Sequence, residues 1–251
     1  MSSSPDTRFM DVNADLGEGP DEEGIFPLVT SANIACGGHA GALGSMIAAI
    51  DRCRAHGVAI GAHPSYHDVA GFGRATPRPA PDPVELAAAV ELQVALLASH
   101  ARDRGGRLAH VKPHGALYND TARDPDVARA VGRGVARAAR DAILYGLAGS
   151  AALSVWRDMG LRVVAEGFAD RAYREDGTLV PRGQEGAVLT DPEAAALHAL
   201  RLARSGEVET LCVHGDTPGV IAILSAVRAA LAADGFALRA PALRSAAGRR
   251  A

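Results

Sequence analysis

The sequence predicts an α/β protein built as a closed barrel of seven β/α units. Short β-rich runs alternate with alanine-rich helical runs along the chain. The predicted strands begin near Arg8, Val29, Val58, Arg107, Asp141, Arg162 and Thr210. Such alternation indicates a parallel sheet, which is either open and doubly wound or closed into a barrel. The polarity pattern within the strands distinguishes these two architectures.

Several predicted strands carry polar side chains at every second position. These positions are Asp11, Asn13 and Asp15; Ser31 and Asn33; His110, Lys112 and His114; and Glu166 and Asp170. Successive side chains of a strand point to opposite faces, so one face of each of these strands is polar. A doubly wound sheet has helices on both faces and needs apolar strands, whereas a barrel accepts polar residues inside. The pattern therefore favours the barrel.

Helix boundaries are marked by capping residues and glycines. A capping oxygen precedes a proline at Asp82-Pro83, Asp124-Pro125, Asp191-Pro192 and Thr217-Pro218, where we predict helix starts. Glycines follow the helical runs and predict their ends. No linker divides the chain, so we predict a single domain over 8–240, with frayed ends at 1–7 and 241–251.

Composition excludes several classes of function. The formal net charge is −3 and the arginines are scattered among acidic residues, so we expect no nucleic-acid partner. No apolar run reaches 18 residues, and the N-terminus lacks the features of a signal peptide, which predicts a cytoplasmic protein that does not bind membranes. The three cysteines are far apart, which predicts reduced, buried thiols. A homo-oligomer is compatible with the sequence.

The single lysine of the chain, Lys112, lies between two histidines at alternate positions of the fourth predicted strand. All other basic residues among the 26 lysines and arginines are arginine. Lysine is a compact donor whose pKa responds to burial, so its use at this position alone makes Lys112 a candidate for chemistry.

Histidines also mark the ends of other predicted strands. His39, His63, His114 and His214 each lie near a carboxyl end, close to glycine or proline. In β/α barrels the carboxyl ends of the strands carry the catalytic groups, so we predict one site where these residues meet.

Two chemistries remain open for this site. Asp15, His63 and His114 could hold a divalent metal and leave a coordination position for water. Without a metal, a carboxylate would act as general base, while Lys112 and the imidazoles would stabilise a developing oxyanion. No GxGxxG or Walker motif is present, so we expect no nucleotide site defined by a motif in this chain.

Seven segments together resemble the LamB/YcsF family. They are Asp11–Glu18, Thr30–Gly37, Gly61–Tyr66, Gly71–Arg74, His110–Asn119, Glu166–Arg171 and Val213–Gly219, and they occur in the family's order. The resemblance implies a seven-unit barrel similar to the glycoside hydrolase/deacetylase superfamily. It also implies a hydrolase of cyclic amides: an ATP-dependent 5-oxoprolinase that acts with partner subunits B and C, the ATP being used by the complex.

Combined with this resemblance, the residues give a specific hypothesis. Asp15 is the predicted base, and Lys112 and His114 neutralise the oxyanion or phosphate. The predicted substrate-binding residues are Asn13, His39, His63, Arg74, Asp170, His214 and Asp216. Two alternatives stay open: a stand-alone metal-dependent amidase or deacetylase, and a non-catalytic subunit that binds the substrate. The sequence departs from the family's pattern after Glu18, where the loop is shorter, and at Gly38, where the family has phenylalanine.

Overall fold

The computed structural model describes residues 8–19 and 21–241, and it contains the predicted closed barrel. The seven barrel strands, all parallel, are β1 (Arg8–Leu16), β2 (Ser31–Ala35), β3 (Ala59–His63), β4 (Leu108–Val111), β5 (Ile143–Leu147), β6 (Arg162–Phe168) and β7 (Thr210–Cys212). Strand β1 pairs with both β2 and β7, which closes the sheet. The predicted fold class is confirmed.

Helices surround the barrel. They are α1 (Leu43–His56), α2 (Pro83–Asp103), α3 (Gly115–Arg123), α4 (Pro125–Ala139), α5 (Ala151–Asp158), α6 (Pro192–Ser205) and α7 (Val220–Ala233). In its described residues the first connection has a 3-10 turn at Phe26–Leu28 in place of a helix, and two helices follow β4. A short eighth strand, β8 (Phe236–Leu238), pairs with the first residues of β1. The predicted frayed ends lie outside the described residues except for Pro241.

The capping residues explain where most helices begin. The carboxylates of Asp82, Asp124 and Asp191 accept hydrogen bonds from the first free N–H groups of their helices, as predicted. The prediction at Thr217 was wrong, because α7 begins at Val220 and the Thr217 hydroxyl donates to Asp170 Oδ2 at 2.6 Å. Because the Thr217 hydroxyl is bonded to Asp170, it does not cap helix α7.

The polar face of the strands lies inside the barrel. Val12, Ala14 and Leu16 belong to the hydrophobic core shared with the helices. Asp11, which precedes Val12 and points to the other face of β1, accepts hydrogen bonds from the hydroxyls of Ser31, Tyr145, Thr210 and Thr30. Buried polar groups are stable only when they are hydrogen-bonded, so this network allows the interior to be polar.

Helix α2 is long and apolar enough to cross a membrane by length and composition alone. In the fold its residues Leu86, Val90, Val94 and Leu97 are buried in the core, and the helix packs along α4. Core helices commonly have this length and composition, so this property of α2 is weak evidence for a membrane span.

Gly61 makes room for a side chain inside the barrel. A Cβ at this position would lie 2.0 Å from Nε2 of His110, whose ring stacks on Tyr145. We expect Gly61→Ala to lower the free energy of unfolding by about 1–3 kcal/mol, the usual range for overpacking. Urea unfolding measures the effect. Gly44→Ala in helix α1 is the control, since a Cβ there meets nothing within 4 Å and no loss is expected. Equal stability of the two variants would contradict the prediction.

Candidate functional site

A pocket opens at the carboxyl ends of the strands, where the sequence predicts the site. Its floor is formed by Asp15 of β1, His63 of β3, and Lys112 and His114 at the end of β4. The long segment between β6 and α6 contributes Thr178–Arg182 to its wall. The pocket therefore joins residues from across the barrel, which is possible only because the sheet is closed.

Lys112 is buried at the centre of the pocket floor. Its Nζ lies 3.0 Å from Asp15 Oδ1 and 2.9 Å from Glu166 Oε1. It also lies 3.3 Å from Asn13 Oδ1 and 3.1 Å from Cys212 Sγ. An ammonium group has three N–H donors, so these four neighbours use its whole hydrogen-bonding capacity. Lys112 is thus placed to hold other groups in position.

The charges of this ion-pair cluster stabilise one another. Burial lowers the pKa of Lys112, but the nearby anions, chiefly Asp15, outweigh burial and leave it well above its usual value. Burial raises the pKa of Asp15, but His63 and Lys112 together hold it well below the usual range. Each of the two charges therefore favours the ionised form of the other.

Asp15 is fixed through one oxygen. Its Oδ1 accepts hydrogen bonds from Lys112 and from Asn33 Nδ2, the latter at 2.8 Å. Within residues 8–19 and 21–241, no hydrogen bond reaches Oδ2. Because Asp15 lines the pocket, this oxygen is available to a ligand.

Three histidines and Glu18 form a second buried group beside Asp15. His39 Nε2 lies 2.7 Å from Glu18 Oε1, and His114 Nδ1 lies 3.0 Å from His63 Nε2. Glu18 Oε1 is also 3.5 Å from His114 Nδ1 and 3.7 Å from His63 Nε2. The rings of His39 and His114 stack in parallel, with centroids 3.6 Å apart.

Backbone carbonyls orient two of these rings. Nδ1–H of His63 donates to the carbonyl of Lys112 at 2.7 Å, and Nε2–H of His114 donates to the carbonyl of Phe72 at 2.9 Å. Burial lowers the pKa of His114 to about 2 and that of His39 to about 3, which keeps both rings neutral. Burial also lowers the pKa of His63, but the Asp15 carboxylate outweighs it and the net shift is upward.

Glu22 holds the loop that carries Glu18. Its carboxylate accepts hydrogen bonds from the backbone N–H groups of Gly17 (2.6 Å), Glu18 (2.9 Å) and Gly19 (2.8 Å). Hydrogen bonds to a charged acceptor are stronger than neutral ones. The short loop after β1 is therefore closed by its own side chain, which places Glu18 against the histidines.

Replacing this carboxylate by an amide is expected to loosen the loop. Glu22→Gln removes the charge and one acceptor oxygen, so we expect a loss of about 1–3 kcal/mol in the free energy of unfolding. Thermal or urea unfolding measures this loss. Glu23→Gln is the control, because the Glu23 carboxylate is exposed and pairs with the exposed Arg52. A loss at Glu22 no larger than that at Glu23 would show that the three hydrogen bonds do not hold the loop.

His214 and Asp170 form a histidine–carboxylate dyad on the opposite side of the floor. Nδ1–H of His214 donates to Asp170 Oδ1 at 3.0 Å, while its backbone N–H and the Thr217 hydroxyl donate to Oδ2. Asp170 is fully buried, and the ring of His214 stacks on Phe168. This arrangement fixes the tautomer of His214 and leaves Nε2 with its lone pair.

The dyad lies close to Asp15. A carboxylate oxygen of Asp15, a ring nitrogen of His214 and the sulfur of Cys212 lie within 4.8 Å of one another. Burial raises the pKa of the Cys212 thiol well above its usual value, which favours its uncharged form. An oxygen of Asp15 and a ring nitrogen of His214 are thus close enough for one small molecule to contact both.

The pocket rim is held by ion pairs. Asp216 accepts hydrogen bonds from Arg74 at 2.7 Å and from Arg182 at 3.0 Å, which ties together the loops after β3, β6 and β7. The guanidinium of Arg74 also lies over the ring of Phe72, 5.0 Å from its centroid. Arg74 is half-exposed, so it can exchange Asp216 for a ligand carboxylate.

The structure brings every predicted site residue to this end of the barrel or to the network directly below it. Asn13 lies beneath the floor and bonds to Glu166 and Thr210. His39 is behind His114 and does not reach the open pocket. The sequence places Glu18 and Glu166 in the predicted cluster, Glu18 in the loop after β1 and Glu166 on the polar face of β6, but gives neither a specific role. It does not single out Glu22 or Arg182.

Gly38 is packed tightly under the site. A Cβ there would lie 2.3 Å from Ser65 Oγ and 2.5 Å from Gln93 Oε1. The side chain of Gln93, held by hydrogen bonds to the backbone of Ser65, occupies the space beside Gly38.

The three cysteines of the chain, Cys36, Cys53 and Cys212, are buried and free, as predicted.

Comparisons with known proteins agree on one family. The family model described as "LamB/YcsF family" matches residues 10–246. The chain is 48% identical to the A subunit of 5-oxoprolinase from Chloroflexus aggregans, with 92% of this chain and 98% of that protein covered. It is also 48% identical to the protein of the same name from Symbiobacterium thermophilum, over 93% of this chain and 96% of that protein.

A solved structure gives the same result. The "lactam utilization protein" from Thermus thermophilus superposes with a TM-score of 0.86 at 40% sequence identity, covering 92% of this chain and 99% of that chain. The motifs, the fold and the relatives thus agree, and the chain belongs to the LamB/YcsF family.

Proposed function

We propose that this chain is the component of an ATP-dependent 5-oxoprolinase that opens the lactam ring of 5-oxo-L-proline to give L-glutamate. Two findings support this role: close relatives are named as the A subunit of 5-oxoprolinase, and a structural relative is called a lactam utilization protein. We infer that partner subunits B and C use the ATP, since this sequence has no nucleotide motif. We place the reaction in the cytoplasm.

Ring opening makes three demands on the protein. A lactam carbonyl is stabilised by resonance, so the partners must first activate it, and phosphorylation of the carbonyl oxygen would do so. Water must then attack the carbonyl carbon while a base takes its proton. Finally the C–N bond breaks as the ring nitrogen receives a proton, which leaves γ-glutamyl phosphate, and a second water then hydrolyses this acyl phosphate to glutamate and inorganic phosphate.

The observation that carries the proposal is the convergence of Asp15 with the His214–Asp170 dyad at the pocket floor. A water molecule between the free oxygen of Asp15 and Nε2 of His214 would be oriented by the carboxylate. His214 would take the proton as the water oxygen bonds to the carbonyl carbon. It would then return that proton to the ring nitrogen as the C–N bond breaks.

Other predicted residues take supporting roles in this scheme. Lys112 keeps Asp15 charged and oriented, so it acts as a positioning residue. His114 is anchored on Phe72 and His63, which makes it part of the floor beside the reacting carbon. Arg74, at the rim, is the proposed partner of the substrate carboxylate.

Reconstitution tests the proposal. The purified chain is mixed with candidate subunits B and C, ATP and 5-oxo-L-proline, and glutamate and ADP are measured with each component omitted in turn. We expect glutamate only when the chain, both partners and ATP are all present. Full glutamate production without this chain would overturn the proposal.

The histidine cluster around Glu18 favours one alternative, a stand-alone metal-dependent amidase or deacetylase. Such an enzyme would act without ATP and would lose activity on chelation. A non-catalytic binding protein would instead keep full turnover in the complex when Asp15→Asn is introduced. The same reconstitution distinguishes the three functions.

A further inference from the structure

We propose that Glu18, His63 and His114 are the ligands of a divalent metal ion, and that His39 orients Glu18 from behind. The sequence alone predicts a different set, with Asp15 in place of Glu18. Four observations on the histidine cluster carry the new assignment.

The first is the orientation of the rings. His63 and His114 each commit one N–H to a backbone carbonyl, so their other nitrogens face each other 3.0 Å apart. A single proton can bridge this contact, and a divalent ion bound by both nitrogens would take the place of that proton. A backbone acceptor on the far nitrogen is also the usual second partner of a metal-bound histidine.

The second is the set of distances. Three ligands about 2.1 Å from a tetrahedral ion lie about 3.4 Å from one another. Here the three separations among Glu18 Oε1, His63 Nε2 and His114 Nδ1 are 3.0, 3.5 and 3.7 Å. The donors thus have the spacing of a coordination site.

The third concerns His39. An imidazole binds a metal in the plane of its ring, and the parallel rings of His39 and His114 are stacked 3.6 Å apart. One ion cannot lie in both planes. Nε2 of His39 instead contacts Glu18 at 2.7 Å, so His39 orients the carboxylate.

The fourth concerns Asp15. Its Oδ1 lies 3.4 Å from His63 Nε2, but this oxygen already accepts from Lys112 and Asn33. An ammonium bound to the same oxygen disfavours a cation there. Among the described residues, Glu18 is paired with histidines and with no ammonium or guanidinium group, and it is therefore the better ligand.

The donor set indicates the class of ion. Two imidazoles and one carboxylate suit zinc and similar divalent transition metals, and three protein ligands leave a fourth position open. Glu18, His63 and His114 all line the pocket, so the open position faces the substrate space. A bound ion would polarise a substrate carbonyl oxygen there. This catalytic role rests on the proposed function, whereas metal binding itself does not.

Metal binding is tested on the full chain without substrate, ATP or partners, so its outcome is independent of the proposed function. Chelator-treated protein is titrated with zinc by calorimetry, and the metal content after dialysis is measured by elemental analysis. We expect one ion per chain, with affinity reduced at least 10-fold in Glu18→Gln and in His114→Gln. Circular dichroism confirms that each variant is folded.

His67→Ala is the matched control, because His67 is exposed and lies only four residues after His63. Its zinc affinity should equal that of the native chain. Absence of binding at millimolar zinc would overturn the proposal. Retained affinity in both ligand variants would overturn it as well, since zinc would then bind elsewhere.

Discussion

Replacing Lys112 by methionine is expected to lower the free energy of unfolding by about 3–5 kcal/mol, the cost of leaving a buried charge without its partner. Methionine keeps the length and apolar stem of lysine but removes the ammonium between Asp15 and Glu166, which are both buried. Two carboxylates would then share a site with no cation directly between them. Urea unfolding of the native and variant chains measures the loss.

Two further variants make the result specific. Arg137→Met removes a cation from an exposed ion pair with Glu91 and should cost less than about 1 kcal/mol. Adding Glu166→Gln to Lys112→Met should restore part of the lost stability, because one of the unpaired charges is then gone. A loss at Lys112 as small as that at Arg137 would contradict the arrangement of the floor.

Replacing Asp170 by asparagine is expected to lower kcat of the reconstituted complex by about 10²–10⁴-fold with little change in KM. An amide can present N–H to Nδ1 of His214 and so favour the other tautomer, in which the nitrogen facing the pocket is protonated and cannot accept a proton. A comparable substitution behind a catalytic histidine costs about 10⁴-fold in serine proteases. Steady-state kinetics of glutamate release measures the effect.

The control for this experiment is Asp51→Asn. Asp51 pairs with Arg104 on the exterior of the barrel, remote from the pocket, so kcat should not change. The readout that separates positioning from simple structural damage is the split between kcat and KM, measured at a temperature where circular dichroism shows the variant to be folded. A kcat for Asp170→Asn within a few-fold of native would show that His214 is not the proton acceptor.

The architecture of this protein is readable from its sequence because the barrel interior is polar. Asp11, Asn13 and Asp15 alternate with core residues along β1, and a doubly wound sheet could not bury them all. The same alternation placed Lys112 inside the barrel. Periodicity reports which face a residue occupies, so these predictions did not depend on any loop.

The sequence did not predict the contacts made by loop residues. It also did not predict which of two possible hydrogen bonds a side chain makes. Glu18 and Glu22 follow the last periodic residue of β1, and only the folded loop shows that one carboxylate positions the other. Thr217 has the pattern of a helix cap, but its hydroxyl bonds to Asp170, which is distant in sequence. The sequence also did not predict that the donors of Lys112 are taken by buried acceptors, which is why we propose a positioning role for this residue.

The central claim is that this chain supplies the groups that open the ring while its partners consume ATP. The most direct measurement is the ratio of glutamate formed to ADP formed in the reconstituted complex that contains His214→Gln. We predict that ADP formation continues while glutamate formation falls at least 100-fold, because activation takes place elsewhere and only the proton acceptor is missing. An unchanged ratio with native rates of both products would contradict the claim.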